Sequence, residues 1–98
     1  MAAFAASFLV VDERDFLDAL SHLPTGYSQG VFEGERWGVT VDRSDDGRRE
    51  KLYGEALGGS DHVSFNLYHA GGKPRLKPCE MPAAKVVAFV IGFEAEGA

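Results

Sequence analysis

Apolar residues recur every three or four positions in the segment that follows Asp12, which is the spacing of one face of an α-helix. Asp12 is a suitable N-cap, and Glu13 and Asp15 place negative charge in the first turn, where the helix dipole favours it. Pro24 ends the pattern. We therefore predict a helix from Glu13 to Leu23 whose apolar face packs on a sheet through Phe16, Leu17, Leu20 and Leu23.

Between Tyr27 and His69 the period of the apolar positions changes to two, which indicates strands whose side chains alternate between two faces. Turn sequences divide this region at Glu33-Gly34, Asp45-Asp46-Gly47 and Gly58-Gly59. The pattern predicts a four-stranded antiparallel meander. Its strands are Ser28 to Phe32, Glu35 to Arg43, Arg48 to Leu57 and His62 to His69.

The register of these hairpins follows from loop length and from the charges that each pairing would oppose. A four-residue loop from Ser44 to Gly47 gives complementary charge pairs in the second hairpin, with the neighbours Asp42 and Arg49, Trp37 and Gly54, and Arg36 and Glu55. A three-residue loop would instead oppose Asp42 with Glu50, so we reject it. A Gly58-Gly59 turn gives the third hairpin the neighbours Leu52 and Phe65, Gly54 and Val63, Glu55 and His62, Tyr53 and Ser64, and Lys51 and Asn66.

The two hairpins agree on which residues share a face. The face that we expect the helix to cover carries Trp37, Val39, Val41, Leu52, Ala56, Val63, Phe65 and Leu67. The opposite, open face carries Arg36, Thr40, Tyr53, Glu55, His62, Ser64, Asn66 and Tyr68.

The C-terminal third is harder to assign from pattern alone. The glycines and prolines from Ala70 to Met81 predict an extended loop. Pro82 to Phe93 reads as a helix, with Val86, Phe89, Val90 and Phe93 on one stripe, although its β-branched residues also suit a buried strand. We expect residues 94–98 to be a frayed tail and residues 1–11 to be an apolar N-terminal segment. Together these elements predict a single α+β domain, a two-layer sandwich in the order α-β-β-β-β-α.

The composition of the chain limits the classes of partner that we expect it to bind. The 98 residues carry a net charge of −5, and the acidity lies in the first 35 residues, which hold six acids and one base. The remainder is balanced, which argues against duplex nucleic acid as a partner, although Lys73 to Lys85 is locally basic. No run reaches the length of a membrane span. The single cysteine, Cys79, indicates a reducing, cytoplasmic setting.

The open face supplies the candidate site residues. Arg36, Glu55 and His62 form one predicted cross-strand row, in which a carboxylate beside an imidazole could act as an acid/base pair with Ser64 nearby as a hydroxyl. The catalytic candidates are therefore Glu55, His62 and Ser64. The ligand-binding candidates are Arg36, Tyr53, Glu55, His62, Ser64, Asn66 and Tyr68. No sequence motif predicts a cofactor or a metal, since His62 and His69 have opposite parity and point to opposite faces.

These features support three hypotheses of different classes. The first is a small non-catalytic binding domain that forms a homodimer through its first strand or its open face, and that binds a protein or small-molecule partner. The second is a small enzyme that uses the glutamate and histidine of the open face. The third is single-stranded nucleic-acid binding through Tyr53, Tyr68, Lys51 and Arg49.

Overall fold

The computed structural model describes residues 10–71 and 73–96, which fold into a six-stranded antiparallel sheet and two helices. In chain order the elements are α1 (Val10–Ser21), β1 (Gly26–Phe32), β2 (Glu35–Arg43), β3 (Arg49–Ala56), β4 (His62–Ala70), β5 (Lys73–Pro78), α2 (Ala83–Gly92) and β6 (Glu94–Ala95). The strands lie in the order β5-β4-β3-β2-β1-β6. The predicted α+β class is confirmed, whereas the predicted count of four strands is wrong.

Helix α1 begins earlier than predicted. It starts at Val10, so Asp12 lies inside the helix and is not its N-cap, and it ends at Ser21. A looser turn follows, in which the N–H groups of His22 and Leu23 donate to the carbonyls three residues before them. The apolar N-terminal segment predicted for residues 1–11 lies outside the described residues as far as residue 9.

The core forms between the two helices and one face of the sheet. Phe16 and Leu20 of α1 are buried, as are Val86, Phe89 and Val90 of α2, where the alternative of a buried strand is wrong. The ring of Phe16 packs 5.7 Å from that of Phe65. Every residue predicted for the covered face is at most 5% exposed: Trp37, Val39, Val41, Leu52, Ala56, Val63, Phe65 and Leu67.

The predicted register of the second hairpin is wrong by two residues. Asp42 lies opposite Lys51, Arg43 opposite Glu50, Val39 opposite Gly54 and Trp37 opposite Ala56. The turn decides this register, because Asp46 Oδ1 accepts hydrogen bonds from Ser44 Oγ at 2.7 Å and from Arg48 N at 3.0 Å, which closes a loop from Asp45 to Arg48. A shift of two residues preserves parity, so the face assignment survives. The third hairpin has the predicted register.

The segment predicted as a loop from Ala70 to Met81 contains strand β5, which pairs with β4 at the edge of the sheet. Pro74 and Pro78 are tolerated there because an edge strand forms ladder hydrogen bonds on one side only. Leu76 is buried, and the residues that alternate with it are exposed: Lys73, Arg75 and Lys77. Strand β5 therefore adds three cationic side chains to the open face of the sheet.

The residues after α2 do not form the predicted frayed tail. Glu94 and Ala95 form β6, in which Ala95 pairs with Gly30 and Glu94 with Val31, and Glu96 N donates to Gln29 O at 2.8 Å. The edge of β1, which we expected to mediate self-association, is therefore partly covered by the same chain. Residues 97 and 98 lie outside the described residues. Within the described part of the chain, no helix combines the length and the apolar character needed to cross a bilayer.

Candidate functional site

The face of the sheet turned away from the core carries all of the residues predicted to form the site. They range from half-buried to exposed, and they lie at the predicted parity: Arg36, Tyr53, Glu55, His62, Ser64, Asn66 and Tyr68. Two groups of side chains on this face differ in how their charges are satisfied.

The first group lies on β6, β1 and β2, and we call it the paired network: Tyr27, Gln29, Arg36 and Glu96. Arg36 forms a two-pronged ion pair with Glu96, whose second contact joins Nη2 to Oε1 at 3.1 Å. Arg36 Nη2 also donates to Gln29 Oε1 at 2.8 Å, and Gln29 Nε2 donates to Tyr27 Oη at 3.1 Å. The hydrogen bond from Arg36 lowers the pKa of Glu96, so this carboxyl stays ionised. The charges of this group are thus satisfied within the fold.

Gly38 explains why Tyr27 lies flat in this network. Gly38 is buried beneath the Tyr27 ring, and a Cβ at this position would come within 3.1 Å of two ring carbons. The absence of a side chain lets the tyrosine cover the backbone of β2. The Tyr27 ring therefore packs on the backbone of β2, although 61% of the residue's surface is exposed.

The second group lies on β3, β4 and β5, and we call it the tyrosine–cation patch: Arg49, Lys51, Tyr53, Tyr68, Lys73, Arg75 and Lys77. Its residues follow each other across the strands, with Tyr68 between Arg49 and Arg75, and Asn66 between Lys51 and Lys77. All of the patch residues are exposed. Within the described residues none of its five cations forms an ion pair with a carboxylate. The patch therefore offers positive charge beside aromatic rings.

Tyr53 continues the patch toward the other end of the strands. Its ring stacks with the imidazole of His62, at a centroid separation of 6.4 Å and an interplanar angle of 27°. Ser64 lies directly opposite Tyr53 on β4 and is half-buried. Tyr53 and Tyr68 expose 43% and 37% of their surface, so both rings are accessible to a planar ligand.

The predicted catalytic row is only partly assembled. Glu55 lies opposite His62, as predicted, but Arg36 is absent from this row because Gly38 occupies the position opposite Glu55. Glu55 and His62 are both exposed, and no hydrogen bond or ion pair joins them within the described residues.

A different glutamate and histidine are hydrogen bonded. His69 Nε2 donates to Glu50 Oε2 at 2.7 Å, and Arg43 Nε donates to Glu50 Oε1 at 2.9 Å. Arg43 also donates to Thr25 Oγ1 and to the carbonyl of Leu20, so this cluster joins the end of α1 to the sheet. The sequence did not indicate this cluster, because Glu50 and His69 have the parity of the covered face. They lie where the strands extend beyond the helices.

The patch cations of β5 were also missed as part of the site. Their signal was present, since Lys-Pro-Arg-Leu-Lys-Pro alternates charged with apolar residues from Lys73 to Pro78. The two prolines led us to predict a loop in place of a strand. Pairing with β4 decides the outcome, because it places these cations beside Tyr68 and Asn66.

No group of three or more metal-binding side chains lies together among the described residues, and Cys79 is a free, half-buried thiol. Comparison of the chain with family models, with curated proteins and with solved structures gave no match. The chemistry of the open face is therefore the basis on which function is argued.

Proposed function

We propose that this chain is a small non-catalytic binding domain whose tyrosine–cation patch binds single-stranded nucleic acid. The observation that supports this is the set of cations on β3 and β5 that form no ion pair among the described residues and that lie beside two exposed tyrosines. Proteins that bind single strands combine a cationic surface for the backbone with aromatic rings on which bases stack. A single strand suits this site because its bases are free to reach the rings.

The net charge of −5 does not oppose this proposal. Screening limits the interaction of exposed charges to about 8 Å at physiological ionic strength, so the patch acts largely through its own charges. The acids that dominate the first third of the sequence include Asp15 and Asp18, which are exposed on α1. That helix packs on the other face of the sheet, so Asp15 and Asp18 lie in a different layer from the patch.

Self-association and a cytoplasmic location, which we expected from the sequence, are kept as proposals. Self-association now rests on the open face, because β6 covers part of the β1 edge and β5 carries prolines and cations that discourage strand pairing. A cytoplasmic location is supported by the free thiol of Cys79. The acid/base alternative loses Arg36 from its row, and among the described residues no second element encloses Glu55 and His62.

The test is fluorescence anisotropy with a labelled oligothymidylate that has hydroxyl groups at both ends. We expect Tyr68→Ala to weaken binding about 5-fold to 150-fold, the loss that corresponds to one stacked base. We expect Arg75→Ala and Lys77→Ala each to lower the slope of log affinity against log salt by about 0.7. Arg14→Ala is the matched control, since it removes an exposed cation from α1.

Three results would contradict the proposal. The first is an affinity that Tyr68→Ala and Arg14→Ala change equally. The second is tighter binding to a duplex of the same length. The third is binding to polyglutamate without binding to the oligonucleotide, which would indicate an acidic protein as the partner.

A further inference from the structure

A depression of about 450 Å³ opens at the end of β4, beside the tyrosine–cation patch. It is lined by Arg48, Tyr68, His69, Ala70 and Gly71. Tyr68 belongs to both surfaces, so the depression adjoins the patch at this residue. The depression lies where strand β4 turns toward β5 and where the hairpin from β2 to β3 begins to pair.

The backbone holds the two basic residues of the depression side by side. His69 N donates to Arg48 O at 2.8 Å, which extends the pairing of β3 and β4 by one residue. Arg48 is exposed, and within the described residues its side chain forms no ion pair. Its guanidinium is therefore available to an anion.

Two carboxylates near the depression, those of Glu50 and Asp46, accept hydrogen bonds within the fold. Glu50 has one oxygen bonded to His69 Nε2 and the other to Arg43 Nε, and its side chain is only 17% exposed. Asp46 accepts hydrogen bonds from Arg48 N and Ser44 Oγ, which lower the pKa of Asp46. Both oxygens of Glu50 are thus hydrogen bonded inside the fold, while Asp46 keeps its negative charge on the turn. An anion that binds here must gain more from Arg48 than it loses through repulsion from Asp46.

We infer that this depression binds the terminal phosphate of the single strand that lies on the tyrosine–cation patch, an inference that rests on the proposed function. A terminal phosphate monoester carries about −1.5 to −2 charges at neutral pH and three acceptor oxygens, more than a phosphodiester within the strand. Arg48 presents the planar donor fork that suits such a group. His69 also lines the depression, and its hydrogen bond to Glu50 fixes the orientation of its ring.

The first experiment compares oligothymidylates that carry a 5′-phosphate, a 3′-phosphate or hydroxyl groups at both ends. We expect one of the phosphorylated strands to bind about tenfold more tightly than the hydroxyl strand. Arg48→Ala should remove this preference while leaving the affinity for the hydroxyl strand unchanged. A thermal melt of the variant verifies that the fold is intact. Arg14→Ala again serves as the charge control.

A second experiment tests the depression without the patch. Thymidine monophosphate, as its 5′ or its 3′ isomer, is titrated into the isotopically labelled chain and compared with thymidine. We expect the amide signals of Ala70 and Gly71 to shift with one nucleotide and not with the nucleoside, and Arg48→Ala to abolish the shift.

The two experiments separate the two claims. Equal affinity for all three strands, or a preference that survives in Arg48→Ala, would overturn the terminal-phosphate site and leave the patch in place. Binding of the mononucleotide at Ala70 and Gly71 without binding of any hydroxyl strand would support the depression and overturn the patch. Mononucleotide shifts that also occur in Arg48→Ala would contradict the assignment to this depression.

Discussion

The two halves of the open face contain similar side chains, yet they differ in where their charges are satisfied. In the paired network, Arg36 is held by Glu96 and Gln29, and Tyr27 closes over Gly38. In the tyrosine–cation patch, no arginine or lysine forms an ion pair among the described residues, although Asp42 lies opposite Lys51 on the neighbouring strand. Residues of one kind thus form ion pairs within the fold in one half and none in the other.

The difference arises from the ends of the sheet. Strand β6 brings Glu96 beside β1, so a carboxylate reaches Arg36 across the edge. At the other edge, β5 brings only cations to the open face, and no described element lies beyond it. The identity of the last strand on each side therefore decides whether neighbouring charges are balanced.

The largest expected effect concerns the helical layer on which both halves depend. Leu20 is 1% exposed in the core, so Leu20→Ala should lower the free energy of unfolding by about 2 to 5 kcal/mol. His22→Ala is the control, since His22 is exposed on the turn after α1, and its effect should stay within about 0.5 kcal/mol. Urea unfolding followed by tryptophan fluorescence measures both. Equal losses would show that α1 does not support the sheet as described.

The next effect is confined to the half that contains the paired network. A Cβ at Gly30 would clash with the backbone oxygen of Glu94 and lie 2.7 Å from Phe93 Cζ, so Gly30→Ala should cost about 1 to 3 kcal/mol by forcing β6 away from β1. Gly58→Ala makes the same substitution in a turn where no atom lies within 4 Å of the new methyl group, and it should be nearly neutral. Urea unfolding compares the two variants. If Gly30→Ala were as stable as Gly58→Ala, the tight seating of β6 would be refuted.

A smaller effect should depend on pH. The pKa of Glu96 is lowered by Arg36 in the folded chain, so the ion pair adds stability above the pKa of the unfolded state, near 4.3. That stability is lost as the pH falls through the lowered pKa. We expect Glu96→Gln to melt below the unaltered chain at neutral pH and at the same temperature in strong acid. Glu94→Gln, two residues earlier in the chain, is the control, and a pH-independent difference for Glu96→Gln would argue against the ion pair.

The smallest expected effect belongs to the patch. Arg75→Ala and Lys77→Ala remove exposed side chains without ion-pair partners among the described residues, so each should change the free energy of unfolding by less than about 0.5 kcal/mol. The same urea titrations measure this. A loss comparable to that of Gly30→Ala would mean that the patch stabilises the fold, and the contrast between the halves would then fail.

Much of the candidate site could be predicted from the sequence, because alternation along a strand reports the face of each residue. Tyr53, His62, Ser64 and Tyr68 lie on the open face as predicted. The neighbour of Arg36 was mispredicted, since charge complementarity is satisfied both by the predicted pairing of Asp42 with Arg49 and by the observed pairing with Lys51. Hydrogen bonds of the Asp46 side chain select between these registers, and no periodic pattern encodes them.

What the sequence by itself determined is local: the parity of the four predicted strands, the buried stripe of α1, and the turn at Glu33-Gly34, where both residues have positive φ. These features depend on neighbours a few positions away, which the pattern of side chains reports directly. Only the tertiary structure decided that Lys73 to Pro78 pairs as a strand and that Glu94 and Ala95 pair with β1. Such pairing depends on which distant edge is free to donate and accept hydrogen bonds, so it is a property of the assembled sheet.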